Sequence, residues 1–172
     1  MADNPDELFD NVDPSDRVIG RARRADVHAN GLLHRAVHIL ITRSNGDIFL
    51  QKRSMEKDCH PGTWDSSASG HLDSGEGYAE AAVRELREEL GIQIEALAEV
   101  GALSASEVTG MEFVKIYHAT HEGPFILHPS EIDEGRWVAI NELHRWISGN
   151  PGDFAPCFIE VFHQSEPVLS QG

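Results

Sequence analysis

Short runs of apolar residues separated by polar turns occupy most of the chain, a pattern typical of β-strands. The segment Leu33–Thr42 is rich in β-branched residues, and the turn Ser44–Asp47 separates it from the apolar segment Ile48–Lys52. The two segments therefore predict a β-hairpin. Similar runs predict further strands at Leu8–Asp13, Arg17–Arg24, Ile94–Leu103, Glu112–Thr120 and Arg136–Ile140.

Three segments have helical character. Between Gly77 and Gly91 the chain contains no helix breaker and carries strong helix formers. Near the end of the chain, Asn141 is a good N-cap for a helix at Glu142–Ile147, and a last helix is predicted at Asp153–Gln164. Strands interleaved with few helices predict an α+β fold in which a mixed sheet lies between helices.

Length and composition predict one globular domain over residues 1–172, with the polar residues 1–7 disordered. The net charge of -15 repels nucleic-acid backbones and anionic membranes, so neither is expected as a partner. Cys59 and Cys157 stand far apart and in no metal-binding motif. Together with a start that lacks the features of a signal peptide, they indicate a cytoplasmic protein.

The predicted helix between Gly77 and Gly91 carries the clearest chemistry. Glu85, Glu88 and Glu89 stand at positions i, i+3 and i+4, so a helix places them on one face. Three carboxylates so close together repel each other unless a cation neutralises them, and oxygen ligands of this kind suit Mg²⁺ or Mn²⁺.

An alternative interpretation is a solvated helix whose glutamates pair with arginine at i,i+4 spacing, as in Glu80–Arg84 and Arg84–Glu88. That interpretation does not explain the glycines that stand around the helix. Glycine permits positive backbone φ and close approach to the acidic residues. These glycines are Gly70, Gly75 and Gly91.

From Gly70 to Ile92 the chain reads G-x5-E-x7-R-E-U-x-E-E-x-G-U, with U apolar. This motif resembles that of the Nudix hydrolases, which implies an α/β/α sandwich with a catalytic loop–helix–loop. It also implies metal-dependent hydrolysis of a diphosphate linkage in nucleoside di- or triphosphates or related compounds. We expect Glu85, Glu88, Glu89 and the Gly70 carbonyl to ligate Mg²⁺ or Mn²⁺. Glu88, Glu89, Arg84 and Glu112 are the expected catalytic residues, with Arg84 orienting a carboxylate.

Segments from about Asp16 to Phe158 are similar to isopentenyl-diphosphate isomerase and its hydrolase relatives; they include Arg35–His38, Gln51–Ser54, Pro61–Asp65 and Phe154–Pro156. The resemblance implies that Arg53 and Lys57 bind the substrate diphosphate. His28, His34, His71 and Glu112 match metal ligands of the isomerase, but its remaining glutamate falls at Gly110. We therefore expect these histidines to be polar or core residues rather than metal ligands.

The residues for isomerisation itself are absent. Ser69 stands where the isomerase has a cysteine, Cys157 stands where it has a tryptophan, and no tyrosine lies between Ile92 and Glu112. Hydrolysis is therefore favoured. Isomerase activity and a catalytically silent nucleotide-binding module are the alternatives, and the intact acidic motif argues against the silent module.

Several features remain open at this stage. The general base is one of four carboxylates, with Glu112 the first choice because its matching position in the isomerase lies at the site. The group attached to the diphosphate is not determined. The oligomeric state is also open, and a homodimer is compatible with the sequence. The four candidate bases are Glu76, Glu112, Glu131 and Glu134.

Overall fold

The computed structural model describes residues 3–94 and 97–169. The described residues form nine strands and four helices. The strands are β1 (Leu8–Val12), β2 (Val18–Arg23), β3 (His34–Thr42), β4 (Ile48–Arg53), β5 (Trp64–Asp65), β6 (Ala68–His71), β7 (Ala98–Leu103), β8 (Glu112–Thr120) and β9 (Ile132–Val138). The helices are α1 (Arg24–Asn30), α2 (Tyr78–Leu90), α3 (Ile140–Gly149) and α4 (Pro156–Leu169), with a short 3-10 turn at Pro151–Asp153.

Seven strands form one mixed sheet in the order β5-β4-β3-β8-β7, with β6 added to β3 and β9 added to β4. β3 is its centre: it pairs in parallel with β8 along its whole length, from His34 opposite Glu112 to Thr42 opposite Thr120. On its other side β3 pairs antiparallel with β6 and then with β4. The strands β1 and β2 form a separate antiparallel ribbon.

Helices cover both faces of the sheet. Successive residues of a strand point to opposite faces, so one strand contributes apolar side chains to the core on each side. Leu40 of β3 packs with Leu143 and Phe158 of the C-terminal helices, whereas its neighbours Ile39 and Ile41 pack with residues of α2. The prediction of an α+β fold with a mixed sheet between helices is confirmed. The start of β3, the start of β8 and the end of β6 lie next to one another in the sheet.

Some element boundaries were predicted incorrectly. The segment Arg24–Asn30 was not predicted to be helical and forms α1, which ends at Gly31 in the left-handed conformation with φ 59°. The prediction of Asn141 as an N-cap is wrong, because α3 begins at Ile140 after Ala139 and uses no side-chain cap. Burial of Leu143 and Ile147 against the sheet sets the position of this helix instead.

Two strands also start elsewhere than expected. β9 begins at Ile132 rather than Arg136, because Ile132, Glu134 and Gly135 also pair with β4. Local sequence does not reveal such pairing, since polar residues favour a loop. β7 begins at Ala98, and residues 95 and 96 of the predicted strand lie outside the described part of the chain.

The N-terminal residues differ from the prediction of disorder. Residues 1 and 2 lie outside the described part of the chain, but residues 3–7 lie against the start of α1. The backbone N–H of Ala25 donates to the Pro5 carbonyl, and that of Arg24 donates to the Glu7 carbonyl. Among the described residues, no helix has both the length and the apolar character needed to cross a membrane.

Candidate functional site

The loop–helix–loop expected from the motif runs from the end of β6 through α2. Gly75 adopts φ +85° in the loop before the helix, and Gly91 ends the helix in the left-handed conformation with φ +67°. At Gly77 the backbone N–H is capped by the Glu80 carboxylate. Because α2 packs Leu86 and Leu90 into the core, its phase is fixed, and the adjacent Glu85 and Glu89 face β6.

Two of the three motif glutamates are buried. Glu85 and Glu89 are 8% and 5% exposed, whereas the side chain of Glu88 is about half exposed. The Glu89 carboxylate accepts hydrogen bonds from the Ser69 backbone N–H at 3.0 Å and from Gln51 Nε2 at 3.1 Å. The sequence prediction that all three share one helix face therefore holds, but their environments differ.

Gly70 leaves room for the Glu85 carboxylate next to the backbone of β6. A Cβ atom added to Gly70 would lie 2.1 Å from Glu85 Oε1, so any other residue here would force the Glu85 carboxylate to move. Glycine at this position therefore lets the backbone of β6 lie directly against the carboxylate, as the motif predicted. The resulting cradle is polar on both sides, with backbone from β6 and carboxylates from α2.

Both buried carboxylates are harder to ionise than an exposed glutamate. Burial raises the pKa of Glu85 well above its usual value, and the nearby charge of Glu89 raises it further. Burial also raises the pKa of Glu89 to about 7, although the Ser69 N–H and the charge of Lys57 act in the opposite direction. A bound divalent cation would remove this penalty, and carboxylate and carbonyl oxygens are the ligands that Mg²⁺ and Mn²⁺ prefer. The residues present thus fit a hard divalent ion held by Glu85, Glu89, Gly70 and the more exposed Glu88.

Arg84 connects the loop to the acidic face. Its guanidinium donates to both oxygens of Glu76 at 2.9 and 2.8 Å and to Glu85 Oε1 at 2.7 Å. It also donates to Glu88 Oε2 at 3.2 Å and to the His71 carbonyl at 2.9 Å. The arginine therefore lies beside the motif carboxylates, at a distance from which it can orient them.

A cavity of about 250 Å³ opens beside the acidic face of α2. We call it the acidic cavity. Its lining includes Glu85, Glu88 and Glu89 together with Lys57 and Glu131. The Lys57 ammonium contacts Glu131 directly and lies 3.1 Å from Asp3. Lys57, predicted to bind the diphosphate, therefore lines the same cavity as the predicted metal ligands.

A second cavity, of about 150 Å³, adjoins the first and is called the adjoining cavity. The two cavities share a wall formed by Arg24, Lys57, Ser69, Gly70 and His71. Beyond this wall the adjoining cavity is lined, among others, by Arg53, His38, Asp65, Glu112, Gly110 and Cys157.

The adjoining cavity is lined both by a residue expected to bind substrate and by positions at which the chain differs from the isomerase. Arg53 faces the adjoining cavity, and its guanidinium donates to Asp65 Oδ2 at 3.1 Å and to the Cys59 carbonyl at 3.0 Å. Ser69, Gly110 and Cys157, at which the chain departs from the isomerase, line the same cavity. The departures therefore alter a single pocket next to the acidic face.

His28, His34 and His71, expected to be polar or core residues, lie close together. One nitrogen of each ring lies within 4.8 Å of the others. Glu112 Oε1 lies 2.8 Å from His71 Nε2 and 3.4 Å from His34 Nε2. Three imidazole nitrogens with one carboxylate are a ligand set that suits a transition-metal ion.

The hydrogen bonds assign the tautomer of His71. Burial lowers its pKa to about 4, so the ring is neutral near pH 7. Arg24 Nη1 can only donate to His71 Nδ1, at 3.1 Å, which leaves the proton on Nε2 for donation to Glu112. His71 thus links Arg24 on α1 with Glu112 on β8.

The four candidate bases lie in different places. Glu131 lines the acidic cavity together with the motif glutamates, and Glu112 lines the adjoining cavity. Glu76 is held by Arg84, and Glu134 is exposed and lines neither cavity.

Sequence reasoning missed three contributors to the site: Asp3, Arg24 and Gln51. Asp3 and Arg24 line the acidic cavity, and Gln51 donates to Glu89. Nothing in the local pattern singles these residues out, because each reaches the site from an element remote from the motif. A buried arginine in a short helix leaves no periodic signal in the sequence.

Comparison with known proteins gives consistent results. A family model described as the NUDIX domain matches residues 32–156. An uncharacterized Nudix hydrolase of Yersinia pestis is 39% identical over 137 residues, which cover 80% of this chain and 75% of that protein. An isopentenyl-diphosphate Delta-isomerase of Serratia proteamaculans is 34% identical over 161 residues, which cover 91% of this chain and 89% of that protein. The crystal structure of DR0079 from Deinococcus radiodurans has a TM-score of 0.73 at 30% identity, covering 83% of this chain and 90% of that chain.

Proposed function

The chain belongs to the Nudix hydrolase family, and on that premise we propose that it hydrolyses the diphosphate linkage of nucleoside di- or triphosphates or related diphosphates with Mg²⁺ or Mn²⁺. One observation carries the proposal: Glu85 and Glu89 are buried together beside a cavity that Lys57 also lines. Two buried like charges that destabilise one another are difficult to explain in a protein that binds no cation.

The mechanism assigns a task to each part of the site. When bound at Glu85, Glu88, Glu89 and the Gly70 carbonyl, a divalent ion supplies charge neutralisation at phosphoryl oxygens and lowers the pKa of a water. Arg84 holds the Glu85 carboxylate in place through a charge-assisted hydrogen bond. Lys57 binds the diphosphate in the acidic cavity, and Arg53, which lines the adjoining cavity together with Lys57, is the second cation assigned to the diphosphate.

The proton of the attacking water needs an acceptor near the acidic face. Glu131 lines the acidic cavity, and its present partner is Lys57. Transfer of Lys57 to a phosphate would free the Glu131 carboxylate to accept a proton. Glu112 already accepts a hydrogen bond from His71 in the adjoining cavity. We therefore place Glu131 ahead of Glu112 as the base, although the resemblance alone favoured Glu112.

A substrate panel tests the proposal against its two alternatives. Purified protein is incubated with nucleoside di- and triphosphates, other diphosphates and isopentenyl diphosphate, each with Mg²⁺ or Mn²⁺. We expect phosphate or monophosphate release from at least one diphosphate, and no dimethylallyl diphosphate in the isopentenyl reaction by NMR. Isomerisation without phosphate release would establish the isomerase alternative, and nucleotide binding without turnover would establish the silent module.

Lys57→Gln tests the diphosphate-binding wall. Loss of a charged hydrogen-bond donor costs roughly 1.5–3 kcal/mol of binding, so we expect KM to rise by about 10- to 100-fold. The measurement is steady-state kinetics on the best substrate of the panel. Lys52→Gln is the matched control, since Lys52 lies on β4 and lines neither cavity. Equal KM values for the Lys57 variant and the parent would remove Lys57 from the binding site.

A further inference from the structure

The side chain of Asp3 is buried in the acidic cavity, among the groups proposed to bind substrate. It is only 10% exposed, and its carboxylate lies 2.9 Å from Arg24 Nη2 and 3.1 Å from Lys57 Nζ. Its second oxygen accepts a hydrogen bond from the backbone N–H of Asp58 at 2.9 Å. An arginine, a lysine and a backbone N–H around one anionic group form the kind of site that proteins use to hold a phosphate.

Asp3 is an anion in this position. Burial raises its pKa, but the Asp58 N–H and the charges of Lys57 and Arg24 outweigh that effect and lower the pKa to about 2. Each of the two cations also has another carboxylate: Asp58 lies 3.0 Å from Arg24, and Glu131 contacts Lys57. Glu7 also lies 4.0 Å from Arg24, so carboxylates outnumber the two cations even without Asp3. Each cation therefore keeps a carboxylate partner when Asp3 leaves, and Asp3 competes with these carboxylates for the two cations.

The rest of the N-terminal segment is fixed independently of this contact. Residues 3–7, which we call the strap, are joined to α1 by the backbone hydrogen bonds of the Pro5 and Glu7 carbonyls described above. These bonds do not involve the Asp3 side chain. Asn4 is held as well, because its carbonyl accepts from the Glu7 N–H and its Oδ1 accepts from the Asp6 N–H. Asp3 can therefore leave the cavity by rotation about its own backbone and side-chain bonds, while the residues from Asn4 to Glu7 stay in place.

We propose that Asp3 occupies the position of a substrate phosphate and that the strap is an autoinhibitory element which competes with diphosphates for Lys57 and Arg24. The proposal rests on the proposed function for the identity of the competing ligand as a diphosphate. Only molecules in which Asp3 is released can bind the diphosphate. The apparent affinity for the diphosphate is therefore the intrinsic affinity multiplied by the released fraction. It leaves the chemical step unchanged, because Asp3 is absent from the cavity whenever a phosphate is bound.

The test compares Asp3→Asn with Asp6→Asn. Asp6 lies in the same strap, but it is exposed and its partner is the exposed Arg23 at 3.5 Å. The probe is methylenediphosphonate, a diphosphate analogue that resists hydrolysis, titrated calorimetrically in Mg²⁺. We expect Asp3→Asn to bind it roughly three- to tenfold more tightly than the parent, since the released fraction rises towards one. Asp6→Asn should bind like the parent, and on a hydrolysed substrate Asp3→Asn should lower KM and leave kcat unchanged.

A measurement on the unaltered protein supports the mutational test. The Asp58 amide, which donates to Asp3, should exchange its hydrogen faster when methylenediphosphonate is bound. If the parent hydrolyses diphosphates but Asp3→Asn binds no more tightly and the Asp58 amide is unaffected, the strap proposal fails and the proposed function stands. If no diphosphate is hydrolysed while Asp3→Asn binds the probe more tightly, the proposed function fails and the strap proposal stands. Absence of probe binding by both proteins would overturn the strap proposal.

Discussion

Glu89→Gln is expected to hydrolyse diphosphates about a hundredfold or more slowly than the parent at saturating Mg²⁺, the typical cost of losing one electrostatic stabiliser of a transition state. Glutamine keeps the shape of the side chain, and its amide oxygen can still accept the hydrogen bonds from Ser69 and Gln51. The variant therefore removes charge with little change in packing. The measurement is kcat on the best substrate, over a range of Mg²⁺ concentrations.

The same substitution should stabilise the protein in the absence of metal. Glu89 is buried beside Glu85, and its charge raises the pKa of that carboxyl. Its replacement by a neutral group relieves this repulsion, which we expect to raise the free energy of unfolding by roughly 1 kcal/mol in EDTA. The parent should gain stability on addition of Mg²⁺, and the variant should gain less.

Glu160→Gln provides the control, because Glu160 is exposed on α4 and lines neither cavity. It should change neither activity nor stability. Near-normal turnover of Glu89→Gln at saturating Mg²⁺ would remove Glu89 from the proposed metal ligands. A metal-free variant less stable than the parent would show that repulsion with Glu85 is not the dominant contribution at this position.

Arg84→Ala is expected to lower the free energy of unfolding by about 3 kcal/mol, the scale for removing one partner of a largely buried ion pair. The Arg84 side chain is 17% exposed, and those of Glu76 and Glu85 are 14% and 11% exposed. Both carboxylates would lose their cation, and the His71 carbonyl would lose a donor. Urea denaturation in EDTA measures the effect directly.

Catalysis should fall as well, because Glu85 would lose the group that holds it. Arg84→Lys separates charge from geometry: lysine keeps the positive charge but cannot form the two-pronged contact with Glu76. We expect it to recover part of the stability and little of the activity. Arg87→Ala is the matched control on the same helix, since Arg87 is exposed and lies 4.0 Å from Glu88. If Arg84→Ala lowers the free energy of unfolding by less than about 1 kcal/mol, the ion pairs of Arg84 contribute no more than ordinary surface ion pairs.

Local patterns were sufficient for the elements that carry the proposed chemistry. The helix α2, its glycines and the shared face of Glu85, Glu88 and Glu89 follow from spacing, because helical periodicity links residues three and four apart. The strands β3 and β8 also follow from local composition, because β-branched and aliphatic residues suit a sheet that is buried on both faces. The family resemblance then added Arg53 and Lys57, and both line the cavities described above.

Only the tertiary structure decided how these parts meet. The parallel pairing of β3 with β8 sets His34 opposite Glu112, and the adjacent β6 adds His71. The strap, predicted to be disordered, places Asp3 on Lys57, 54 positions further along the chain. Such contacts depend on strand register and on charge balance between distant segments. Local propensity carries no information about either, so it could predict helix α2 but not the residues that surround it.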